Sequence, residues 1–277
     1  MVSALNPQIS KASMCVETDD VLDLLREVAD EHINPRFRSL ADSQVHEKGP
    51  GDLVTVADRE AEVAITARLR AAYPDAVILG EEACAADASI LDAYAEAAHA
   101  FTVDPIDGTK NFVRGKADHA VMVAELRGGQ SVRAWIWQPQ HERSFVAERG
   151  AGTYRNGQRL QRVPVATMPS AVRAVTSMRP WIGHRLGDIP PLELTWVCCG
   201  VDYPKLIEGA ADIVLYGGTH PWDHAPGSLL VTEAGGFVGT FDHEPYDPRV
   251  HPAGLVVAGD ESAYDMVVPL LEMLPSR

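Results

Sequence analysis

Hydrophobic and polar positions recur along the chain with two periods, which predicts helices and strands mixed throughout. Val21, Leu24, Leu25 and Val28 share one face of a helix that Asp19 or Asp20 can cap and that runs to about Leu40. Gly49-Pro50-Gly51 breaks the chain before Asp52. Thr55 can cap a second helix over about 57–72, with Ala61, Ala64, Ile65 and Leu69 at helical spacing and Tyr73-Pro74 as its stop. Apolar runs at 76–79 and 100–103 read as strands. Segments 119–127, 132–138 and 143–148 have strand composition, with Gly128-Gly129 as a hairpin turn, and the glycines at 150–152 and 156–157 continue this antiparallel stretch. A second half begins near Pro164. It holds strands at 171–176, near 194–198 and at 212–216, and helices over about 203–209 and from Trp222-Asp223 to Ala234. After Gly235-Gly236 come two short strands and a helix near 261–273. Residues 84–99 are Ala-rich and fit either a helix or a mobile lid. The class is α/β or α+β, with no internal repeat.

Composition bounds the picture. A chain of 277 residues can bury a sizeable core as one large domain or two tightly packed ones. No apolar run reaches the ~18–20 residues of a membrane span. Residues 1–17 lack the apolar core of a signal peptide and read as a flexible N-terminus, so a cytoplasmic location is expected. Cys15, Cys84, Cys198 and Cys199 show no Cys-x-x-Cys pairing and no His at zinc spacing, and read as reduced thiols. A net charge of −15 argues against nucleic acid as a partner.

The candidate chemistry lies in Asp104-Pro-Ile-Asp107-Gly-Thr109-Lys-Asn-Phe112. Pro105 and Gly108 are expected to end a strand in a tight turn that throws Asp104, Asp107 and the Thr109 hydroxyl toward one point. Hard oxygen ligands on irregular backbone suit Mg²⁺. Three more acidic stretches stand out: Asp52-Leu-Val-Thr55-Val-Ala-Asp58 with Lys48 upstream, Gly80-Glu81-Glu82, and Pro221-Trp-Asp223-His-Ala-Pro-Gly227. Phosphate monoesters hydrolyse very slowly unaided. Two metal ions about 3.5–4 Å apart can activate a water and neutralise the leaving alkoxide, and they need carboxylates from several segments. Glu81, Asp104, Asp107 and Asp223 supply such a set. Taken singly, Asp58 reads as a first-turn helix carboxylate and Thr55 as an N-cap, while Glu82 fits a supporting or solvent role as well as a ligand. His119, His220 and His224 read as structural, and Trp222 as packing that fixes the angle of Asp223.

At these four stretches the chain resembles the inositol monophosphatase family of Mg²⁺-dependent, lithium-sensitive phosphatases, from about Lys48 to Gly236. The resemblance implies a layered αβαβα sandwich of two abutting subdomains, 18–163 with most metal ligands and 164–277 with Asp223 and pocket residues. It implies a first ion on Glu81, Asp104, the Ile106 carbonyl and the Thr109 hydroxyl, a second on Asp104, Asp107 and Asp223, and a weaker third near Glu81 and Glu82. A water beside Thr109 would be the nucleophile, with Asp58 hydrogen-bonded to the Thr109 hydroxyl. Lys48 would support the loop around Asp52, and the phosphate would rest on the N–H groups of Gly108 and Thr109. No Cys, Ser or His stands where a phosphoenzyme nucleophile is expected. A homodimer is also implied.

Departures from the family pattern fall in the pocket. Inositol-preferring members carry a Glu seven residues before the Trp-Asp carboxylate, where this chain has Tyr216. The family's Gly-Thr-Ala reads Gly200-Val201-Asp202, and Pro226 replaces an Ala in what is expected to be the first turn of a helix. Asp202 could accept from substrate hydroxyls or a cationic amine. Inositol 1-phosphate is the leading expected substrate. Histidinol phosphate is the alternative, because Lys110-Asn-Phe-Val-Arg114-Gly resembles bacterial members of that type. Fructose 1,6-bisphosphate or a nucleotide 3′-phosphate would need a second cationic cluster, for which Arg179, Arg185 and Lys205 are available. A non-catalytic regulatory protein on the same scaffold is a further alternative.

Overall fold

The computed structural model describes residues 17–49 and 51–275, and most of the expected flexible N-terminus, with Cys15, lies outside them. Along the chain run α1 (Thr18–Val28), β1 (Val45–Gly49), β2 (Asp52–Thr55), α2 (Val56–Ala72), β3 (Val77–Gly80), α3 (Glu81–Ala86), α4 (Ile90–Glu96), β4 (His99–Asp107), α5 (Thr109–Val113), β5 (Ala120–Arg127), β6 (Gln130–Gln138), β7 (Arg143–Glu148), β8 (Gly152–Arg155) and β9 (Gln158–Leu160). Then follow β10 (Ala174–Thr176), β11 (Glu193–Leu194), α6 (Cys199–Ile207), β12 (Ile213–Tyr216), α7 (Pro221–Glu233), β13 (Phe237–Thr240), β14 (Leu255–Ala258) and α8 (Glu261–Val267).

Strands β3 to β9 form a seven-stranded sheet in chain order, parallel only between β3 and β4. A five-stranded sheet has the order β11-β10-β12-β14-β13 and mixes parallel and antiparallel pairs. The alternation of β5 shows how the layers are joined. Val121 and Val123 face a core shared with Val21, Leu25, Ala61 and Ile65 of α1 and α2. Ala120 and Met122 face the opposite way, into a core shared with Val201 and Leu206 of α6, Leu229 and Leu230 of α7, and Val214 and Val257 of the second sheet. That second sheet buries Ile213, Leu215 and Val256 against Tyr264 and Val267 of α8. The result is the expected αβαβα sandwich, with α6 and α7 enclosed between two sheets.

Several elements differ from the sequence pattern. The first helix is capped at Glu17, whose N–H donates to Asp20 Oδ2 at 3.1 Å, so Asp20 lies inside it. It passes into a π turn and a short 3₁₀ turn that ends at Arg36, where Pro35 has no N–H to continue the ladder. Gly49 ends β1 and pairs with Asp52 at the start of β2, so the expected break falls between two paired strands, hidden in the sequence because His46-Glu47-Lys48 lacks apolar alternation. Residues 84–99 are mostly short helix, α3 and α4. Helix α6 begins at Cys199, four residues earlier than the pattern places it. Helix α7 begins at Pro221, so Pro226 lies in its second turn and denies the Trp222 carbonyl its helical donor.

Close approach of α6 and α7 depends on Gly227. A Cβ there would meet the Tyr203 ring at 2.2 Å. Gly→Ala inside a helix ordinarily stabilises by about 1 kcal/mol, but here the buried ring cannot withdraw. Gly227→Ala is expected to destabilise the protein by about 1–3 kcal/mol, read as a lower denaturant midpoint. An unchanged or raised midpoint would show that this contact is soft.

Candidate active site

Asp104 and Asp107 are three apart, and in a regular strand they would point to opposite faces. The pairing of β4 with β5 shifts between them: Asp104 sits opposite Met122 and Asp107 opposite Ala120, so three steps on β4 match two on β5. Pro105 therefore does not end the strand as the sequence implies. It lies in the bulge, where a ladder donor is dispensable. The bulge turns both carboxylates to one side, and Asp223, in the first turn of α7, completes the group. One oxygen from each of Asp104, Asp107 and Asp223 lies within 4.8 Å of the others. After Asp107, Gly108 takes φ +81° and opens α5.

The group is desolvated and anionic. Burial, reinforced by Glu81, Asp107 and Asp223, pushes Asp104 well above the usual carboxylate range. Burial does the same to Asp223. Asp107 is raised less, because donors hold its charge: Gly200 N–H at 2.6 Å and the Cys198 thiol at 2.9 Å, both to Oδ2, with further N–H donors from Cys199 and Gly108. Asp104 Oδ1 is buried with no hydrogen-bond partner. An orphaned carboxylate oxygen beside two more carboxylates is the donor set a hard divalent cation takes.

Glu81 and Glu82 open α3 beside this group. Lys48 bonds Glu81 at 2.6 Å and Glu82 at 2.9 Å, and not Asp52, which is exposed on β2. The expected support of the Asp52 loop is thus replaced by a clamp on the two glutamates. Burial opposes the ammonium charge, yet the two carboxylates outweigh it and hold Lys48 above its ordinary value. Burial raises Glu81 to about 7 against the pull of Lys48. The backbone of α3 is held in turn by Glu62 of α2, which accepts the N–H groups of Glu82 at 2.7 Å and Ala83 at 2.8 Å. Glu62 went unnoticed in the sequence. Its signal is a carboxylate four residues after Asp58, on the stripe that carries Ala61 and Ile65.

Asp58 serves two ends. Its Oδ2 accepts the Thr55 N–H at 2.8 Å and the Thr55 hydroxyl at 2.5 Å, while its Oδ1 faces the Thr109 hydroxyl at 3.2 Å. The cap reading and the catalytic reading thus use different oxygens of one carboxyl. Burial lifts Asp58 to about 6 against those hydrogen bonds. The Thr109 hydroxyl also lies 3.0 Å from the Ile106 carbonyl.

The pocket residues revise the expectations. Asp202 and Tyr216 border the cleft as expected, but Asp202 is buried in α6, with Oδ1 accepting the Trp196 N–H at 2.8 Å and Oδ2 the Tyr216 hydroxyl at 3.3 Å, so both of its oxygens already have partners within the protein. Val201 packs in the core rather than the cleft. Gly200 spends its N–H on Asp107 and its carbonyl on Gln138, and the Gly108 N–H also goes to Asp107. Cys198 and Cys199, absent from the sequence reading as site residues, line the cleft with Asp107 and Asp223. Among the described residues the cysteines are free thiols. His224 is buried between Tyr203 and the Gly218 carbonyl and depressed by burial to about 4, as a structural residue should be. Trp222 packs against Leu79 and Tyr94 as expected.

A sequence profile described as "Inositol monophosphatase family" matches residues 17–275. An "Inositol-1-monophosphatase" of Mesorhizobium japonicum is 33% identical over 81% of this chain and 85% of its own length. A "Nus factor SuhB" of Vibrio cholerae is 29% identical over 77% of this chain and 81% of its own. The crystal structure of an IMPase/NADP phosphatase complexed with Mg²⁺ and phosphate superposes with a TM-score of 0.79, at 20% identity, over 94% of this chain and 98% of that one.

His119 makes a pH prediction. It is fully buried against Phe37 and Phe112, and desolvation lowers it to about 4. Unfolded, it protonates near 6.5, so below that pH the unfolded state binds the extra proton and stability falls until the folded pKa is reached. At pH 5 this costs about 2 kcal/mol. His119→Phe should therefore lose about 2 kcal/mol less than the wild type between pH 7 and pH 5 in chemical unfolding. Parallel losses would show that His119 is protonated in the fold.

Proposed function

The chain belongs to the inositol monophosphatase family, and from that premise we propose that it is a Mg²⁺-dependent phosphomonoesterase acting on a small polyol phosphate, with inositol 1-phosphate the leading substrate. The observation that carries this reading is the convergence of Asp104, Asp107 and Asp223, with Asp104 Oδ1 buried and unpartnered. Those three carboxylates, Glu81 and the Ile106 carbonyl would hold two to three Mg²⁺ ions, which supply charge neutralisation at the phosphoryl oxygens and a more acidic water.

The chain's own residues do the rest. The first N–H groups of α5 have no helical acceptor and face the phosphoryl oxygens, Thr109 first. Thr109 aligns the attacking water and takes a proton from it as its own hydroxyl proton passes to Asp58 Oδ1, whose pKa of about 6 suits a proton acceptor near neutrality. As the water oxygen bonds to phosphorus the ester P–O bond breaks, and the leaving alkoxide takes a proton from solvent. Glu62 and Lys48 keep Glu81 in place. Histidinol phosphate ranks second, because the Asp202 carboxylate that an amine would need is bonded inward. A homodimer and lithium sensitivity are further expectations of the family. Among the described residues no helix is long and apolar enough to cross a membrane.

The relatives named Nus factor SuhB keep a non-catalytic reading in view, and two measurements separate it from the proposal. Wild-type protein with Mg²⁺ should release phosphate from inositol 1-phosphate, and Asp107→Asn and Asp223→Asn should each lower kcat by at least about a hundredfold. Mg²⁺ should also raise the wild-type melting temperature and leave that of Asp223→Asn unmoved. Without Mg²⁺, Asp223→Asn should melt above the wild type, since one like charge is gone. No turnover of any ester, with no effect of Mg²⁺ on melting, would overturn the enzymatic reading.

A further inference from the structure

Between β11 and α6 the chain passes through Val197 in the left-handed region, at φ +60°. Among the described residues the other non-glycine residues in that region are Arg38, Glu142, Asn156 and His243, so Val197 alone is β-branched. A branched Cβ makes this conformation costly, and it persists where neighbouring groups dictate it. Here they do. The Val197 N–H donates to the Thr195 hydroxyl at 3.1 Å. The buried side-chain amide of Asn111, on α5, donates to the Trp196 carbonyl at 3.0 Å and to the Val197 carbonyl at 3.3 Å. The two peptide planes on either side of the Val197 Cα are therefore both held. The Trp196 N–H is held as well, by Asp202 Oδ1 at 2.8 Å. Asn111 is anchored in turn by donating to the Asp118 carbonyl at 2.9 Å. All three of its partners are carbonyls, which need N–H donors, and neither Asp nor Leu of similar size offers one.

The next three residues are the ones that reach Asp107. The Cys198 thiol and the N–H groups of Cys199 and Gly200 all donate to its carboxylate. Cys198 is the N-cap of α6, and its own side chain caps no N–H of that helix. Asp107 does so in its place, from β4. Cys198 also closes over the turn that opens α5, where a Cβ on Gly108 would lie 3.0 Å from the Cys198 Cβ. Rotation of Val197 into the ordinary region would swing the start of α6 away, leaving its first N–H groups and Asp107 without each other. Resting on the phosphomonoesterase reading, we infer that Asn111 is a positioning residue for Asp107: by locking Val197 in the left-handed conformation it delivers the start of α6 to this carboxylate and fixes the orientation in which Asp107 would hold Mg²⁺.

The test is a rescue. Asn111→Ala removes the donor, and Val197→Gly removes the strain, since glycine takes a positive φ freely. In Asn111→Ala the apparent Kd for Mg²⁺, read from turnover and from the rise in melting temperature, should be about tenfold higher than in the wild type. Adding Val197→Gly should return most of that loss, and Val197→Gly alone should leave the Kd within about twofold of the wild type. A merely structural Asn111 would lower the metal-free melting temperature and leave the Kd unmoved. An unchanged Kd, or a raised Kd that Val197→Gly does not recover, overturns the inference.

Amide hydrogen exchange in metal-free protein gives a second readout. The Cys199 and Gly200 amides should exchange about tenfold faster in Asn111→Ala and slow again in the double variant. The amides of β5, flanked by β4 and β6, should keep their rates. Acceleration of β5 in step with Cys199 and Gly200 would report general loosening and overturn the inference. Asn111→Ser, with one donor on a shorter arm, serves for the same comparison where Asn111→Ala does not fold. A wild type with no turnover and no response to Mg²⁺, whose Cys199 and Gly200 exchange still follows Asn111 and Val197, defeats the phosphatase reading and leaves the hold of Asn111 on Asp107 standing.

Discussion

Holding Asp104, Asp107 and Asp223 within 4.8 Å of one another inside the protein is the constraint on which the rest of the structure depends. Like charges at that range repel strongly where water is scarce, and each carboxylate loses hydration as well. The fold answers from several directions. Helices α2, α3, α6 and α7 all begin near the cluster, and the positive ends of their dipoles favour negative charge there. Asp107 collects backbone and thiol donors from the start of α6, while Lys48 balances Glu81 and Glu82 from the β1–β2 hairpin. The tight layering of α6 and α7 between two sheets delivers those helix starts to one place.

Glycine makes this convergence possible. Gly200 must let its N–H come within 2.6 Å of Asp107, and a Cβ there would meet the Ala120 Cβ at 2.5 Å. A Cβ on Gly80 would strike the Glu62 carboxyl that holds α3. Both residues sit where a helix start approaches the acidic cluster, so the close packing of backbone on backbone and the electrostatics of the site are one requirement.

Much of this was legible in the sequence, for reasons that also mark where legibility stops. The strands of the seven-stranded sheet and the helix capped by Thr55 follow from periodicity and capping, which are local. The grouping of Asp104, Asp107 and Asp223 followed from their motifs, but the device that unites the first two did not. Pro105 reads as a strand end, and only the pairing partner β5 shows that it occupies a bulge. The inward bonding of Asp202 and the clamp of Lys48 on Glu81 and Glu82 were equally invisible, because each depends on a residue distant in the chain. Cys198 and Cys199 were read as reduced thiols because they form no Cys-x-x-Cys pair and have no His at zinc spacing, and folding sets them against Asp107.

Those thiols bear on how the site can act. A cysteine beside a phosphoryl-binding cleft invites a covalent route, and that route needs a thiolate. Here burial pushes Cys198 and Cys199 well above the ordinary thiol value, and Asp107 adds to the effect on both. The Cys198 proton is moreover committed to Asp107 at 2.9 Å. The same carboxylates that would assemble a hard cation therefore keep the neighbouring sulfurs protonated, as donors and not nucleophiles. Thr109 and Asp58 stand apart from that field on the α2 side, with a pKa of about 6 at Asp58. The site thus separates its protonated thiols from the Asp58 carboxylate, which is the arrangement that the proposed direct attack by water on phosphorus would require.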